Sequence, residues 1–172
     1  AAALSAWCVP ARLSAYLGAL YVEARFGKEA ALKCVNGGKV KVTNQDPVST
    51  QRCIHRSPTQ DMYFKGALFL NTLRSIVDND ARWEKLLRDF YQHFKYQTIM
   101  TEDVVQFFNA QLGRNLTPIF DQYLRRAALP TLELAFIEPG TPAYRGTADE
   151  RAFAMPVRRG TGGKWAASEA PA

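Results

Sequence analysis

A chain of 172 residues, 47% of them hydrophobic, is long enough and apolar enough to bury one ordinary domain core, which excludes disorder through most of its length. No apolar run approaches the roughly 20 residues of a membrane-spanning helix, and the opening AAALSAWCVPAR has no basic stretch ahead of an apolar one, so the chain reads as soluble and without a signal segment. The net charge of +6 is an N-terminal feature: residues 1–57 carry eight basic and three acidic groups, and their densest cluster, Lys39, Lys41, Arg52 and Arg56, lies in a loop. That pattern suits a solvated surface, not a nucleic-acid face.

In chain order, Leu13, Tyr16, Leu17, Leu20, Tyr21 and Ala24 recur at helical spacing after Pro10, and Gly27 stops that helix. A second, short helix is expected from about Lys28 to Asn36, ended by Gly37-Gly38. The polar stretch from Gly37 to Ser57 reads as a long loop. Ser57-Pro58-Thr59-Gln60 has the form of a capping box with proline at the first helical position, opening a helix to about Val77 with Met62, Leu68, Phe69, Leu73 and Ile76 as its apolar stripe. Asp78-Asn79-Asp80 ends it and caps the next helix, about Ala81 to Phe94, which sets Trp83, Leu86, Leu87, Phe90 and Phe94 on one face.

Thr101 caps a further helix with Glu102 and Asp103 in its first turn and Gly113 as its stop, and Thr117-Pro118 starts the last one. After Leu129-Pro130 the period changes from helical to alternating. Leu132, Leu134 and Phe136 mark one strand, and the segment from Ala152 to Val157 marks a second. The Gly/Pro-rich stretch from Glu138 to Gly146 is read as their connection and Gly160 to Gly163 as a turn. The chain is thus expected to be mainly α with a short β tail, divided into residues 1–137 and 138–172. A lone strand pair is barely stable by itself, so the tail reads as the opening of a larger β unit.

Cys8, Cys34 and Cys53 are odd in number, with spacings of 26 and 19 and no C-x-x-C pair. Buried thiols are the default expectation, with one bridge plus a free thiol as the alternative. The two histidines, His55 and His93, lie 38 positions apart and read as a loop residue and an exposed helix residue. There is no H-E-x-x-H, no G-x-S-x-G and no phosphate-binding glycine loop, and the paired acids Asp78/Asp80 and Glu102/Asp103 are explained by helix capping.

One further signal comes from resemblance. The segment DMYFKGALFLNTLR, Asp61 to Arg74, resembles the Y-x-K-G-A-x-x-L-x-x-L-R helix of the M1 family of zinc aminopeptidases. Other pieces follow in the family's order: Trp83 to Tyr91, the Thr101-Glu-Asp-Val helix start, Gly113 to Leu124, and Leu129-Pro130-Thr-Leu. Upstream, YLGALYVEARFG (Tyr16 to Gly27) is similar to the stretch after the family's zinc-ligand glutamate. Downstream, FAMPVRRGTGGK (Phe153 to Lys164) is similar to the first strands of its following β-sandwich. The resemblance spans roughly residues 14–165.

The resemblance implies the C-terminal helical part of a thermolysin-like (gluzincin) catalytic domain, followed by the opening of the next domain. It implies peptide as substrate, the remainder of the catalytic domain as partner, and zinc as cofactor of the complete enzyme. It gives Tyr63 a catalytic role, with its phenol stabilising the oxyanion opposite zinc. Taken without the resemblance, Tyr63 reads as a tyrosine on a packed helix face. The family's H-E-x-x-H and G-x-M-E-N motifs are absent from this chain, and no acid precedes Glu23, so no metal ligand is expected within it. The alternative reading is a catalytically inert helical scaffold or interaction module with the same subdomain fold.

Overall fold

The structure is a computed structural model and describes residues 5–48, 60–138, 141–161 and 164–169. Six helices come first among these residues: α1 (Ser5–Phe26), α2 (Lys28–Lys39), α3 (Asp61–Val77), α4 (Asp80–Phe94), α5 (Thr101–Leu112) and α6 (Thr117–Arg125). Four strands follow: β1 (Thr131–Glu138), β2 (Thr141–Thr147), β3 (Pro156–Thr161) and β4 (Lys164–Glu169). The chain is mainly helical, and every strand begins after Pro130, as the change of period predicts.

Local chemistry explains the helix ends. Gly27, at φ 88°, reverses the chain between α1 and α2 in a conformation that a side chain disfavours, and its N–H still donates to Glu23 O. Asp78 closes α3 in the left-handed conformation, and Asn79 then caps α4 by accepting from the Arg82 N–H at 2.8 Å. At α5 the cap differs from the expected one: Thr101 is the first helical residue and is buried, and the Asp103 carboxylate reaches back to the Met100 N–H at 2.7 Å. Before α6, Asn109 accepts from the Leu116 N–H and Asn115 from the Thr117 N–H, while Pro118 occupies the first turn, where a missing N–H is harmless.

Three expectations are corrected. Helix α2 does not stop at Gly37-Gly38 but runs through both to Lys39, because Gly38 lies against Phe64 of α3, where an added Cβ would come 3.2 Å from the ring. The Gly/Pro-rich stretch after Glu138 is not a plain connection, since Thr141–Thr147 forms β2, antiparallel to β1 in the register Thr131↔Thr147 to Phe136↔Pro142. The second strand expected at Ala152 to Val157 starts only at Pro156. It pairs with β4 in the register Pro156↔Glu169 to Thr161↔Lys164, so Gly160 and Thr161 belong to the strand, while Gly162 and Gly163 of the expected turn lie outside the described residues. The capping box at Ser57–Gln60 falls largely on residues outside those described; α3 itself begins at Asp61, with Gln60 at its N-cap.

The core is one cluster. Tyr16 of α1, Phe69 and Leu73 of α3, Trp83, Leu86 and Phe90 of α4, Val104, Val105, Phe107 and Phe108 of α5, and Ile119, Phe120, Tyr123 and Leu124 of α6 pack together, and Phe153 joins them from beyond the first sheet. Aromatic rings do much of the filling. Phe69 meets Phe120 edge-on at 4.9 Å between centroids and stacks with Tyr123 at 5.1 Å, and Phe90 meets Phe107 edge-on at 5.4 Å. At the heart, Trp83 is 1% exposed and its indole N–H donates to the Tyr16 hydroxyl at 3.0 Å, so burying the indole leaves no unsatisfied donor.

Candidate functional site

Helix α3 carries an unusual buried ladder. Asp61, Lys65, Phe69 and Leu73 recur every four residues and are 0%, 1%, 3% and 0% exposed. Four-residue spacing places them in one inward-facing row, so the first two turns bury two charges where the later turns bury hydrocarbon. Each charge is matched by the loops around it. Asp61 accepts from the Thr43 N–H at 2.8 Å, the Thr43 hydroxyl at 3.1 Å and the Asn44 N–H at 3.0 Å. The Lys65 ammonium donates to Arg126 O at 2.7 Å and Ala127 O at 2.8 Å, directly after α6 ends, where the helix dipole presents its negative pole.

Tyr63 lies midway between these two residues, about 200° around the helix from Asp61 at 100° per residue, and is 40% exposed. The structure therefore puts Tyr63 on the surface side of α3, behind a row of buried groups. Its neighbour Phe64 turns toward the end of α2, where Gly38 touches the ring and the Lys41 ammonium sits 5.1 Å from the ring centroid.

A cleft lies further along the same helix. It has a volume of about 300 Å³ and is walled by Ala19, Glu23, Ala31, Val35, Asn71 and Arg74 among others. Its α3 wall begins at Asn71, eight residues from Tyr63, about 12 Å along the axis at 1.5 Å per residue. Arg74 is its electrostatic centre: the guanidinium donates to Glu23 Oε1 and to Asp80 Oδ1, each at 2.8 Å, and Lys28 reaches the other Asp80 oxygen at 3.3 Å. These bonds hold the Glu23 carboxyl below the usual carboxylate range and pull that of Asp80 down to about 2, while the carboxylates raise Arg74. Burial pushes the Tyr16 phenol up, outweighing the pull of the nearby Arg74.

At the far end of the core, Gln122 is fully buried. Its amide donates to Ala128 O at 3.0 Å and its carbonyl oxygen accepts from the Glu150 N–H at 2.8 Å, while Arg126 pairs with the Glu150 carboxylate at 2.9 Å. Gln122 and Lys65 together bind the three successive carbonyls of residues 126–128.

Of the other residues weighed in the sequence, His93 is exposed on α4, as expected, with its ring against Phe94 and Phe107. His55 and Cys53 fall outside the described residues. Cys34 corrects the expectation of buried thiols: it is a free, exposed cysteine on α2, next to the buried Val35. Among the described residues no group of three or more His, Cys, Asp or Glu is placed to hold a metal ion. Periodicity alone missed Asp61 and Gln122 as buried groups; the available signal was a charged residue four positions ahead of Lys65 in the same row as Phe69 and Leu73. No family model, curated protein or solved structure matches this chain.

Proposed function

We propose that the chain is the C-terminal helical part of the catalytic domain of an M1-type zinc aminopeptidase, removing N-terminal residues from peptides, with Tyr63 as a donor on the active-site wall. The zinc, the general-base glutamate and the substrate N-terminus would then be held by residues outside this chain, in a remainder of the catalytic domain that docks on it. The observation that carries the reading is the setting of Tyr63: its phenol is exposed while the helix beneath it is anchored by buried groups on the opposite side. A phenol held on a rigid backbone is a pre-positioned proton donor, which is what stabilisation of a developing oxyanion requires.

A second reading is favoured by the position of the cleft. The 300 Å³ cleft lies beside Arg74 and not beside Tyr63, as a noncatalytic scaffold with its own binding surface would have it. One experiment separates the two. The gene is extended upstream of Ala1 and the longer product assayed on aminoacyl-arylamide substrates, with Tyr63→Phe alongside. Hydrolysis that is abolished by chelation and weakened by Tyr63→Phe supports the peptidase; a longer product without H-E-x-x-H and without hydrolysis supports the scaffold.

A further inference from the structure

Two buried charges in the first two turns of α3 call for an explanation, because hydrocarbon at the same positions would fill the space without any desolvation cost. Replacing buried charged groups by well-packed apolar ones is often neutral or stabilising, so stability alone does not account for them. What they add is direction. A leucine in a core accepts a small slide or rotation of its helix, whereas a hydrogen-bonded ion does not, since its bonds weaken steeply with misalignment.

Asp61 takes three bonds from Thr43 and Asn44 on one side of the helix start, and Lys65 gives two to Arg126 O and Ala127 O. The two anchors engage segments far apart in sequence, so they fix α3 against both the chain after α2 and the chain after α6. Advancing α3 by one residue would rotate it by about 100° and move it about 1.5 Å, breaking all five bonds at once. Tyr63 sits between the anchors and faces away from them.

We propose that Asp61 and Lys65 are positioning residues for Tyr63: a two-point polar clamp that sets the rotation and axial height of the α3 N-terminus and so the placement of the phenol. That this placement serves catalysis rests on the peptidase reading; the clamp itself does not. Lys65 thereby acquires a role distinct from that of a surface cation beside the tyrosine, because its ammonium is spent inside the fold, on the carbonyls that follow α6.

The test uses the 172-residue chain with 3-fluorotyrosine installed at position 63, in the wild-type background and in Asp61→Asn and Lys65→Met. Fluorine NMR reports the setting of the phenol ring, and amide exchange in α4 and α5 reports whether the core is intact. The clamp predicts that, with core protection retained, the fluorine resonance broadens and moves toward its position in the urea-unfolded chain in each variant. A merely structural role would lower the unfolding midpoint and leave the native resonance where it was. A folded variant with an unchanged resonance overturns the proposal. If only one variant folds, its spectrum decides; if neither folds, the two residues hold the whole domain and not the tyrosine, which overturns it as well. No substrate enters this measurement, so a failure of the peptidase reading leaves its result untouched.

Discussion

At the scale of single residues, degree of burial separates ionic contacts that look alike. Arg74 is 13% exposed and bridges Glu23 and Asp80, whereas Lys28 and Asp80 are both more than half exposed. Hydrogen bonds to charged groups are worth about 1.5–3 kcal/mol and exposed pairs about 0–1 kcal/mol. Arg74→Met is therefore expected to lower the unfolding free energy by about 2 kcal/mol at pH 7 in urea titrations, and Lys28→Ala to change it by less than about 1 kcal/mol. The pH dependence follows from the sign of the shifts. Glu23 and Asp80 have folded-state pKa values below their unfolded ones, so their contribution is complete above the unfolded carboxylate range and lost as pH falls through the folded values, about 2 for Asp80. The gap between wild type and Arg74→Met should narrow steadily on acidification from pH 5; a gap independent of pH would remove these carboxylates from the account. On the peptidase reading proposed above, Tyr63→Phe in the upstream-extended chain keeps the ring and removes only the hydroxyl. Kcat should fall by roughly a hundredfold to a thousandfold with KM much less affected, and an unchanged kcat would return Tyr63 to the status of a surface aromatic.

Among the elements, α2 shows tertiary contact overriding a local signal. A Gly-Gly pair ordinarily ends a helix, yet α2 continues through Gly37 and Gly38 because the close approach to Phe64 makes the second glycine useful inside the helix. The two positions should therefore respond differently to alanine. At Gly37 nothing lies within 4 Å of an added Cβ, and alanine should stabilise the chain by about 0.5 kcal/mol through helix propensity and a less flexible unfolded state. At Gly38 the new methyl would meet Phe64 Cδ1 at 3.2 Å, so the same gain is offset by crowding and Gly38→Ala should be the less stable of the two. Thermal unfolding of the pair checks the order, and equal effects would mean that the Phe64 ring yields freely. Strand β2 is the corresponding case in the tail: Pro142 and Gly146 weaken it as a sequence pattern, but β1 gives it a partner for register.

For the whole molecule, the core crosses the junction between the helices and the tail. Phe153 is 5% exposed and belongs to the same cluster as Trp83 and Phe120, and Gln122 holds the backbone at Glu150. Phe153→Ala should accordingly cost about 3–5 kcal/mol, far more than an exposed tail residue would, and should be visible as a lower urea midpoint with an unchanged slope. A loss below about 1 kcal/mol would mean that this segment is only draped over the helices.

The sequence by itself determined the helical part of the fold: α3 to α6 end or begin where Asp78-Asn79, Gly113 and Thr117-Pro118 say they should, and the strands wait until after Pro130. Those features are legible because caps, prolines and glycines act within a few residues of where they stand, and apolar periodicity reports one face at a time. The buried partners of Asp61, Lys65 and Gln122 were decided only by tertiary structure, since Thr43, Arg126 and Glu150 lie 18, 61 and 28 positions away. A charge is ordinarily assigned to solvent, and nothing local tells a buried one from an exposed one until the loops that satisfy it are brought to it. The setting of Tyr63 belongs to the second kind: its helix could be read in the chain, but the clamp behind it exists only once the segments after α2 and after α6 have come together.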